Sequence, residues 1–394
     1  MTSKSWSKRS AVACVAISLA TASVWAQPGP AMALLDPADA AWWQKAGGQT
    51  GWRILVPTAA ADAGLDKRIL SLAEAVREAI KKSEVDPARI YLAGRGPTAA
   101  AVFYTISRTP DLWAAGIAVG GSPQPAIDTD RIFAVNFTLA PVLWVGAGAD
   151  DEPTAKKLSA AGFNLEYRSS QGLTNAAVFE WLSKHTRAAF PLEIDCETNS
   201  PTFASCYWIQ MAKFDAGERN DVLASTRIPA TVHAALDLGA FQYSTEDPGP
   251  GLLIGTLPKG YSGPLKQGDR ITELNGKSIE NVRQYGEMMT TFALPQPVVV
   301  MVRRGKENLR LETSVVLPQR EAIISARVQA KYLAEDHTIQ IVSRTVKEMR
   351  VTIPPEWAEK STLYWNGLAL EDIHTPGCIL LSIDKELLNA SPCK

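Results

Sequence analysis

Residues that could carry out acyl-transfer chemistry are few in this sequence and lie far apart. Ser122 and Ser169–Ser170 follow short apolar runs, and an acidic pair, Asp150–Asp151, lies between them. A serine nucleophile needs a nearby base, most often a histidine. The nearest histidine, His185, falls inside a helical pattern and is expected to be a surface residue of that helix. The acidic pair is expected to cap the helix that follows it.

Composition excludes other classes of partner. The chain has 394 residues, and 40 basic against 41 acidic side chains give a formal net charge of −1. No basic excess exists to neutralise a phosphate backbone, so we expect no nucleic-acid partner. The four histidines are scattered and no Cys-x-x-Cys pair occurs, so the sequence indicates no metal site and no cofactor. The length suggests two or three domains.

The N-terminus indicates export. Residues 4–9 carry three basic side chains, and residues 11–22 form an apolar run that is too short to span a bilayer comfortably. Val24 and Ala26 place small residues where a signal peptidase requires them. We therefore expect residues 1–26 to be a signal peptide cleaved after Ala26. The mature protein is expected to be periplasmic or secreted and to have no membrane span.

Four cysteines remain beyond the expected cleavage site. An even number of cysteines in an oxidising compartment favours disulfides. The simplest of the three connectivities pairs Cys196 with Cys206 and Cys378 with Cys393. The alternative is four buried thiols.

Residues 53–190 alternate between strand and helix patterns. Strands are expected at 53–57, 90–93, 115–119, 141–145 and 165–167, and helices at 66–83, 97–107, 151–161 and 175–185. Such repeats predict an α/β fold in which a doubly wound parallel sheet has helices on both faces.

Within this region, the segment 86–94 (DPARIYLAG) and the tight turn after it resemble the nucleophile-elbow region of α/β-hydrolases, especially secreted bacterial esterases. The segments 120–123, 141–146 and 162–167 follow in the order that the family implies, so the resemblance covers residues 40–190. We therefore expect an α/β-hydrolase-like domain at 36–190.

The resemblance implies a site whose chemical groups are missing. The nucleophile position is Gly96, which has no side chain, and the oxyanion donor position is Pro97, which has no N–H. The acid position falls at Asp150 or its neighbour, and Thr174 or a neighbour stands where a histidine base is implied. We therefore expect a domain without a catalytic triad, in which glycine and proline keep the turn for packing.

A second resemblance covers residues 229–319. The loop 238–241 (LGAF) and the runs 268–271 (GDRI) and 274–277 (LNGK) are similar to those of a PDZ domain of bacterial type. The resemblance implies that an extended peptide pairs with an edge strand at 240–244 while its terminal carboxylate meets loop N–H groups. The opposite wall of the groove is expected to be a helix with Asn281 as its N-cap. The expected groove residues are Leu238, Gly239, Ala240, Phe241, Gln242, Tyr243, Val282, Tyr285 and Met289. Alternatively, these side chains are core residues and the groove is filled by the protein itself.

The flanking segments 192–228 and 320–394 show period-two alternation typical of strands. Neither segment has enough strands for two sheets, so we expect one small β-sandwich-like domain, interrupted by the PDZ-like segment.

Three functions remain open. The first is an exported non-catalytic scaffold that binds protein C-termini or extended segments through the PDZ groove. The second is an esterase or peptidase with a displaced serine nucleophile. The third is a glycan or polymer binder that uses the former active-site cleft, where Trp42, Trp43 and Trp52 could contribute.

Overall fold

The structure is a computed structural model that describes residues 28–47, 51–60, 62–220, 222–230, 232–318, 323–358, 360–384 and 387–393. The expected signal peptide and the expected boundary at 319–320 lie outside these residues. Within the described part, no helix is long and apolar enough to cross a membrane.

The first half of the protein forms what we call the α/β unit, residues 29–183. Its strands are β1 (Gly29–Leu34), β2 (Arg53–Leu55), β3 (Val85–Arg95), β4 (Ala115–Val119), β5 (Ile132–Phe133), β6 (Val142–Gly146) and β7 (Leu165–Ser169). Six of them form one sheet in the order β2-β1-β3-β4-β6-β7, and every neighbouring pair is parallel.

Helices cover both faces of this sheet. They are α1 (Ala40–Gly47), α2 (Leu65–Lys81), α3 (Ala99–Arg108), α4 (Gln124–Ile127), α5 (Asp151–Ala160) and α6 (Asn175–Ser183). Alternate residues of β1 point to opposite faces, as the pleat requires. Ala31 and Ala33 belong to the core with α2, α3 and α5, whereas Met32 and Leu34 belong to the core with α1 and α6. The predicted doubly wound α/β class is confirmed.

The strand β1 was missed by the sequence analysis. It lies before the expected domain start at residue 36, yet it is an inner strand of the sheet and pairs with both β2 and β3. Its sequence, GPAMAL, contains no β-branched or aromatic residue, so it has little intrinsic strand signal. Burial on both faces makes it a strand, and the α/β unit therefore extends to residue 29.

The backbone then enters the antiparallel part of the molecule. The first strands are β8 (Glu193–Thr198), β9 (Ser205–Cys206), β10 (Ile209–Phe214) and β11 (Arg227–Ile228). β11 pairs with β5 of the α/β unit rather than with the other strands of its expected domain, 192–228. The segment around β11, which leads into the next part of the chain and which we call the entering linker, is therefore fixed to the α/β unit by main-chain hydrogen bonds.

Next comes what we call the inserted module, residues 235–316. It contains β12 (Ala235–Leu236), β13 (Gln242–Tyr243), β14 (Leu252–Thr256), β15 (Arg270–Leu274), β16 (Lys277–Ser278), α7 (Val282–Met289), β17 (Gln296–Arg304) and β18 (Glu307–Val316). The sheet order is β12-β18-β17-β15-β14-β13, with β16 paired to β15. Because β12 pairs with β18, the two ends of the module lie side by side, as insertion into another domain requires.

The remaining strands complete what we call the sandwich. They are β19 (Ala326–Leu333), β20 (Thr338–Arg344), β21 (Val346–Ile353), β22 (Ser361–Trp365), β23 (Leu368–Ile373), β24 (Gly377–Asp384) and β25 (Leu387–Pro392). Two five-stranded sheets, β25-β24-β21-β10-β9 and β23-β22-β20-β19-β8, share one core. Both sheets use strands from before and after the module, so the expected sandwich-like domain is confirmed.

Both expected disulfides are present. Cys196–Cys206 joins β8 of one sandwich sheet to β9 of the other, with Cα atoms 6.2 Å apart. Cys378–Cys393 closes the β24–β25 hairpin, with Cα atoms 5.4 Å apart. One cross-link therefore staples the two sheets, and the other secures the last hairpin.

A buried carboxylate holds both linkers of the module. The side chain of Glu197 in β8 is fully buried, and its oxygens accept hydrogen bonds from Ser225 and Thr226 of the entering linker. Ser325 of the leaving linker also donates to it, and Arg344 lies 3.2 Å away. We call these contacts the Glu197 clamp. It fixes the points at which the module joins the rest of the protein.

Candidate functional site

The turn after β3 has the sharp geometry expected of a strand-to-helix elbow. Gly96 has φ of +52°, a conformation that glycine adopts without strain. At Gly94, a Cβ atom would lie 2.5 Å from the Thr98 carbonyl oxygen, so the turn closes tightly on itself. A Cβ at Gly96 would meet nothing within 4 Å, so this position faces open space. Pro97 opens a 3-10 turn ahead of α3.

Polar groups around this turn bond to one another. The Thr98 hydroxyl accepts the Arg95 N–H at 2.9 Å and lies 2.8 Å from Asp39 Oδ2. The Arg95 guanidinium lies 4.9 Å from the ring centre of Trp42. The turn is therefore tied to the loop after β1 and covered by an arginine–tryptophan contact.

The expected acid and base positions serve local structure. Thr174 is the N-cap of α6, and its hydroxyl accepts the N–H of Ala177 at 3.2 Å. Asp150 lies at the N-cap of α5, but its side chain makes no capping hydrogen bond, so the expected cap is wrong for this residue. Asp151 instead accepts the N–H of Gly148 at 2.8 Å, in the loop before the helix.

The candidate replacement nucleophiles also lack a base. Ser122 and Ser169 accept N–H groups two residues further along the backbone, as turn serines do. His185 lies toward the end of the sheet where the parallel strands begin, opposite to the end that carries the turn after β3. Its carbonyl oxygen accepts a hydrogen bond from the Tyr91 hydroxyl, and the nearby Arg187 N–H donates to the Ala88 carbonyl near the start of β3. The described residues include all four histidines, and none of them lines the cavity at the carboxyl ends of the strands.

The carboxyl edge contains a small, mostly apolar cavity of about 110 Å³. It is lined by Trp42, Trp43, Val119, Val145, Ser170, Leu173, Asn175, Val178 and Phe179. This is smaller than the roughly 150 Å³ cavity that holds benzene in a protein core, so it has no room for a sugar ring. Trp43 is 1% exposed and Trp52 stacks on Tyr91 at 4.9 Å, so both contribute to packing. These contacts weaken the glycan-binding hypothesis.

The largest cavity among those near the expected sites belongs to the inserted module and has a volume of about 790 Å³. It is lined by His233, Ala234, Ala235, Leu236, Asp237, Gly239, Ala240, Phe241, Tyr243, Tyr285, Val316, Leu317 and Pro318. It lies beside β13, an edge strand of the module's sheet, which among the described strands pairs with β14 alone.

Three main-chain donors are open at this cavity. Among the described residues, the N–H groups of Gly239, Ala240 and Phe241 donate no hydrogen bond. Gly239 has φ of +81°, and a Cβ there would lie 2.9 Å from the Tyr261 ring. The Tyr261 hydroxyl donates to the Leu238 carbonyl and so holds the loop from behind. Successive unpaired N–H groups of this kind form a natural anion-binding site.

The walls of the groove are aromatic. Tyr243 of β13 and Tyr285 of α7 meet edge to face, with ring centres 5.9 Å apart. Burial, and then the neighbouring Tyr243, raise the pKa of the Tyr285 hydroxyl. Asn281 caps α7 by accepting the Gln284 N–H at 3.0 Å, as expected from the sequence. Asp237, which is exposed, is the carboxylate that lines the cavity.

The structure separates the nine expected groove residues into two groups. Gly239, Ala240, Phe241, Tyr243 and Tyr285 line the cavity. The other four do not line it: Leu238 and Met289 are buried in the core, Val282 packs against that core, and Gln242 is exposed.

The sequence analysis missed the cavity walls at residues 233–237 and 316–318. Their only sequence signal is indirect, because the two ends of an inserted domain must meet. Among the described residues, no group of three or more His, Cys, Asp or Glu side chains could hold a metal ion.

No family model matches this sequence, and no curated protein matches it. Among solved structures, a thermostable esterase is 15% identical, covers 41% of this chain and is itself covered over 56%, with a TM-score of 0.28. A bacterial heroin esterase is 11% identical, with coverages of 36% and 66% and a TM-score of 0.29. The HtrA3 PDZ domain bound to a phage-derived ligand is 20% identical. It covers 23% of this chain and is itself covered over 89%, with a TM-score of 0.17. This chain thus spans just over half of the thermostable esterase. Our fold assignment comes from the strand order and cores described above.

Proposed function

We propose that this protein is an exported, non-catalytic peptide-binding protein, in which the α/β unit and the sandwich present the inserted module as a PDZ-type receptor for the C-termini of other proteins. The observation that carries the proposal is the row of N–H groups at Gly239, Ala240 and Phe241, which have no partner among the described residues. These three residues line the 790 Å³ cavity and lie next to β13, an edge strand of the described sheet.

The chemistry of a polypeptide terminus fits this arrangement. A terminal carboxylate carries a full negative charge and accepts several N–H groups at once, and charge-assisted hydrogen bonds are the strong ones. The edge of β13 offers main-chain partners to an extended peptide. The apolar lining, which includes Leu236, Phe241 and Val316, suits an apolar terminal side chain.

The same proposal treats the α/β unit as a scaffold. Gly96 supplies no nucleophile, Pro97 supplies no oxyanion N–H, and Thr174 is engaged in capping α6. Removing any one member of a triad already lowers the rate by several powers of ten, so the combined loss of the nucleophile, the base and the oxyanion donor leaves no mechanism of that type. A displaced serine remains the alternative, and Ser170 is the candidate because it lines the carboxyl-edge cavity.

The binding proposal is tested with a library of synthetic peptides in matched free-acid and C-terminally amidated forms. We expect the free acids to bind at least tenfold more tightly, because amidation removes the charge that the three N–H groups recognise. Isothermal titration calorimetry on the full mature protein measures the difference. Equal affinities for acids and amides would refute carboxylate capture.

The scaffold part of the proposal is tested with nitrophenyl esters and a fluorophosphonate probe. We expect no turnover and no labelling. A labelled serine, identified by peptide mass spectrometry, would instead support the esterase alternative, and Ser170→Ala would then have to abolish the labelling if that residue is the nucleophile.

Export is tested separately by isolating the protein from the envelope or medium of a bacterial host. We expect the mature protein to begin at Gln27. An uncleaved N-terminus on exported material would contradict the expected signal peptide.

A further inference from the structure

Two tyrosine rings from opposite walls of the groove in the inserted module contact each other. Tyr243 projects from the edge strand β13, Tyr285 projects from α7, and their centres lie 5.9 Å apart at an interplanar angle of 77°. That separation lies within the range of direct edge-to-face contact. Tyr285 is only 6% exposed, and Tyr243 is half-buried.

This contact occupies the path of an added strand. A strand that pairs with β13 must lie about 4.8 Å from it, and its alternate side chains must point toward α7. The two rings meet between β13 and α7, where side chains of an added strand would enter. We therefore expect a long peptide to pair along β13 only after one ring has moved away.

The loop end of the groove stays open in the same structure. Gly239, Ala240 and Phe241 all line the cavity, and their N–H groups are unpaired among the described residues. A terminal carboxylate and the last side chain of a peptide can therefore enter without disturbing the rings. The module thus has an open terminal chamber and a closed strand path.

We infer that Tyr243 and Tyr285 form a gate, so that the resting module reads only the last one or two residues of a free C-terminus and accepts a longer segment only after the gate opens. This inference rests on the proposed function. Among the described residues, the Tyr285 hydroxyl makes no hydrogen bond, so ring packing alone holds the gate, and a ligand can open it without breaking a hydrogen bond at that hydroxyl.

The test compares two probes with the same end, acetyl-Ser-Ala-Phe and acetyl-Ser-Gly-Ser-Gly-Ser-Ser-Ala-Phe, both as free acids. With the wild-type protein, we expect the two dissociation constants to agree within about twofold. Tyr243→Ala removes one ring of the gate, and we expect the octapeptide to bind it at least tenfold more tightly than the tripeptide. An octapeptide that already binds the wild type tenfold more tightly, or an unchanged ratio in Y243A, would overturn the gate.

Two control variants separate the ring from other effects. Tyr243→Phe keeps the ring and loses only the hydroxyl, so its length ratio should match that of the wild type. Tyr364→Ala makes the same truncation at a 40% exposed tyrosine of the sandwich and should change nothing. A shift of the length ratio in Y364A would mean that the Y243A effect is not local, which contradicts the gate.

A measurement without peptide keeps the two proposals distinct. If neither probe binds any variant, the proposed function fails, and the gate is judged by 19F NMR of protein labelled with 3-fluorotyrosine. The Tyr285 signal is assigned by its loss in Tyr285→Phe, and its H₂O/D₂O isotope shift reports exposure of the ring. We expect a small shift in the wild type and in Y364A, and a large shift in Y243A; equal shifts in all three would refute the ring contact.

Discussion

Two turns in this molecule contain a glycine with positive φ, but they differ in the main-chain N–H groups that they offer. Gly96 in the α/β unit and Gly239 in the inserted module both have positive φ, at +52° and +81°. The residue after the first is Pro97, which has no N–H, and the residue after the second is Ala240, whose N–H is unpaired in the described structure. A positive-φ turn is therefore not by itself a site, because what it can bind depends on the donors that remain free.

The two turns also differ in the space around them, and the second turn has more. The first turn is tied to Asp39 through Thr98 and lies at an edge whose cavity measures about 110 Å³. The second borders a cavity of about 790 Å³ at the free edge of a sheet. The first turn is held by local contacts, whereas the second turn borders a large cavity.

The largest effect is expected from breaking the Glu197 clamp, which joins the inserted module to the rest of the protein. Glu197→Ala removes the carboxylate that holds both linkers and leaves Arg344 without its ion-pair partner, so we expect the free energy of unfolding to fall by about 3 kcal/mol. Hydrogen exchange should rise at residues 223–228 and 323–326. Urea denaturation monitored by tryptophan fluorescence measures the first effect, and exchange mass spectrometry the second.

The matched control is Glu193→Ala on the same strand, β8. Glu193 is 72% exposed and pairs with Lys331 at 3.5 Å, so its loss should cost under about 1 kcal/mol. Similar losses for both variants would show that the clamp has no special role, and the idea of a rigidly held module would then be wrong.

The next largest effect is expected from removing an N–H group from the Gly239 turn, as Pro97 does in the Gly96 turn. Ala240→Pro reproduces the Gly–Pro sequence of the α/β turn and removes one of the three N–H groups. Hydrogen bonds to charged groups are worth about 1.5–3 kcal/mol, so we expect free-acid peptides to bind roughly 10- to 100-fold more weakly. Amidated peptides should be little affected. Ala240→Gly keeps the N–H and should retain most of the affinity, and circular dichroism checks that both variants fold.

A buried acid, Asp111, lies at the end of the sheet opposite to the Gly96 turn and is a second candidate for a functional residue of the α/β unit. Asp111 is 8% exposed, and its Oδ1 atom has no hydrogen-bond partner among the described residues. Burial raises the pKa of Asp111, although Arg77 and Arg187 act in the other direction. Perturbed acids of this kind cluster at functional sites but also occur in structural networks.

The sign of the Asp111 effect follows from that direction. Because the pKa is higher in the folded state than in the unfolded state, the group stabilises the fold most below about pH 4, and this contribution is lost as the pH rises through the folded-state value. Asp111→Asn should therefore increase the free energy of unfolding at pH 7 by about 1–2 kcal/mol, with the gain vanishing near pH 4. Asp372→Asn, at an 83% exposed position, is the control. A loss of stability in D111N at pH 7 would show that the Asp111 carboxylate stabilises the fold, and it would contradict the expected sign.

The sequence predicted the parts of this molecule that depend on local signals. The βα alternation, the disulfide pairing of Cys196 with Cys206 and the N-cap Asn281 all follow from residue type and spacing. It missed β1 because Gly, Pro and Ala carry little strand propensity, and burial between β2 and β3 decides the matter. It also could not separate Leu238 and Met289, which are core residues, from the side chains that line the groove, because spacing does not tell which face of an element is covered.

The Glu197 clamp shows a different limit. Its members, at 197, 225, 226, 325 and 344, are spread over almost 150 residues, and each one is unremarkable in its own segment. Only the three-dimensional return of both linkers to one carboxylate reveals it. Cooperative polar networks assembled from distant segments leave no periodic pattern to read.

The smallest effect is expected from restoring chemistry to the first turn. The double variant Gly96→Ser, Pro97→Ala supplies both a hydroxyl, for which the structure has space, and an N–H. We expect a loss of about 1 kcal/mol in stability, because serine at φ of +52° is strained, and no detectable ester turnover or fluorophosphonate labelling. The reason is that Thr174 still caps α6, and no described histidine lines the cavity at this edge to take the serine proton. Pro97→Ala alone controls for the stability change. If the double variant were labelled, a base would have to be present at the carboxyl edge. The difference between the two turns would then come only from the side chain missing at residue 96 and the N–H missing at residue 97.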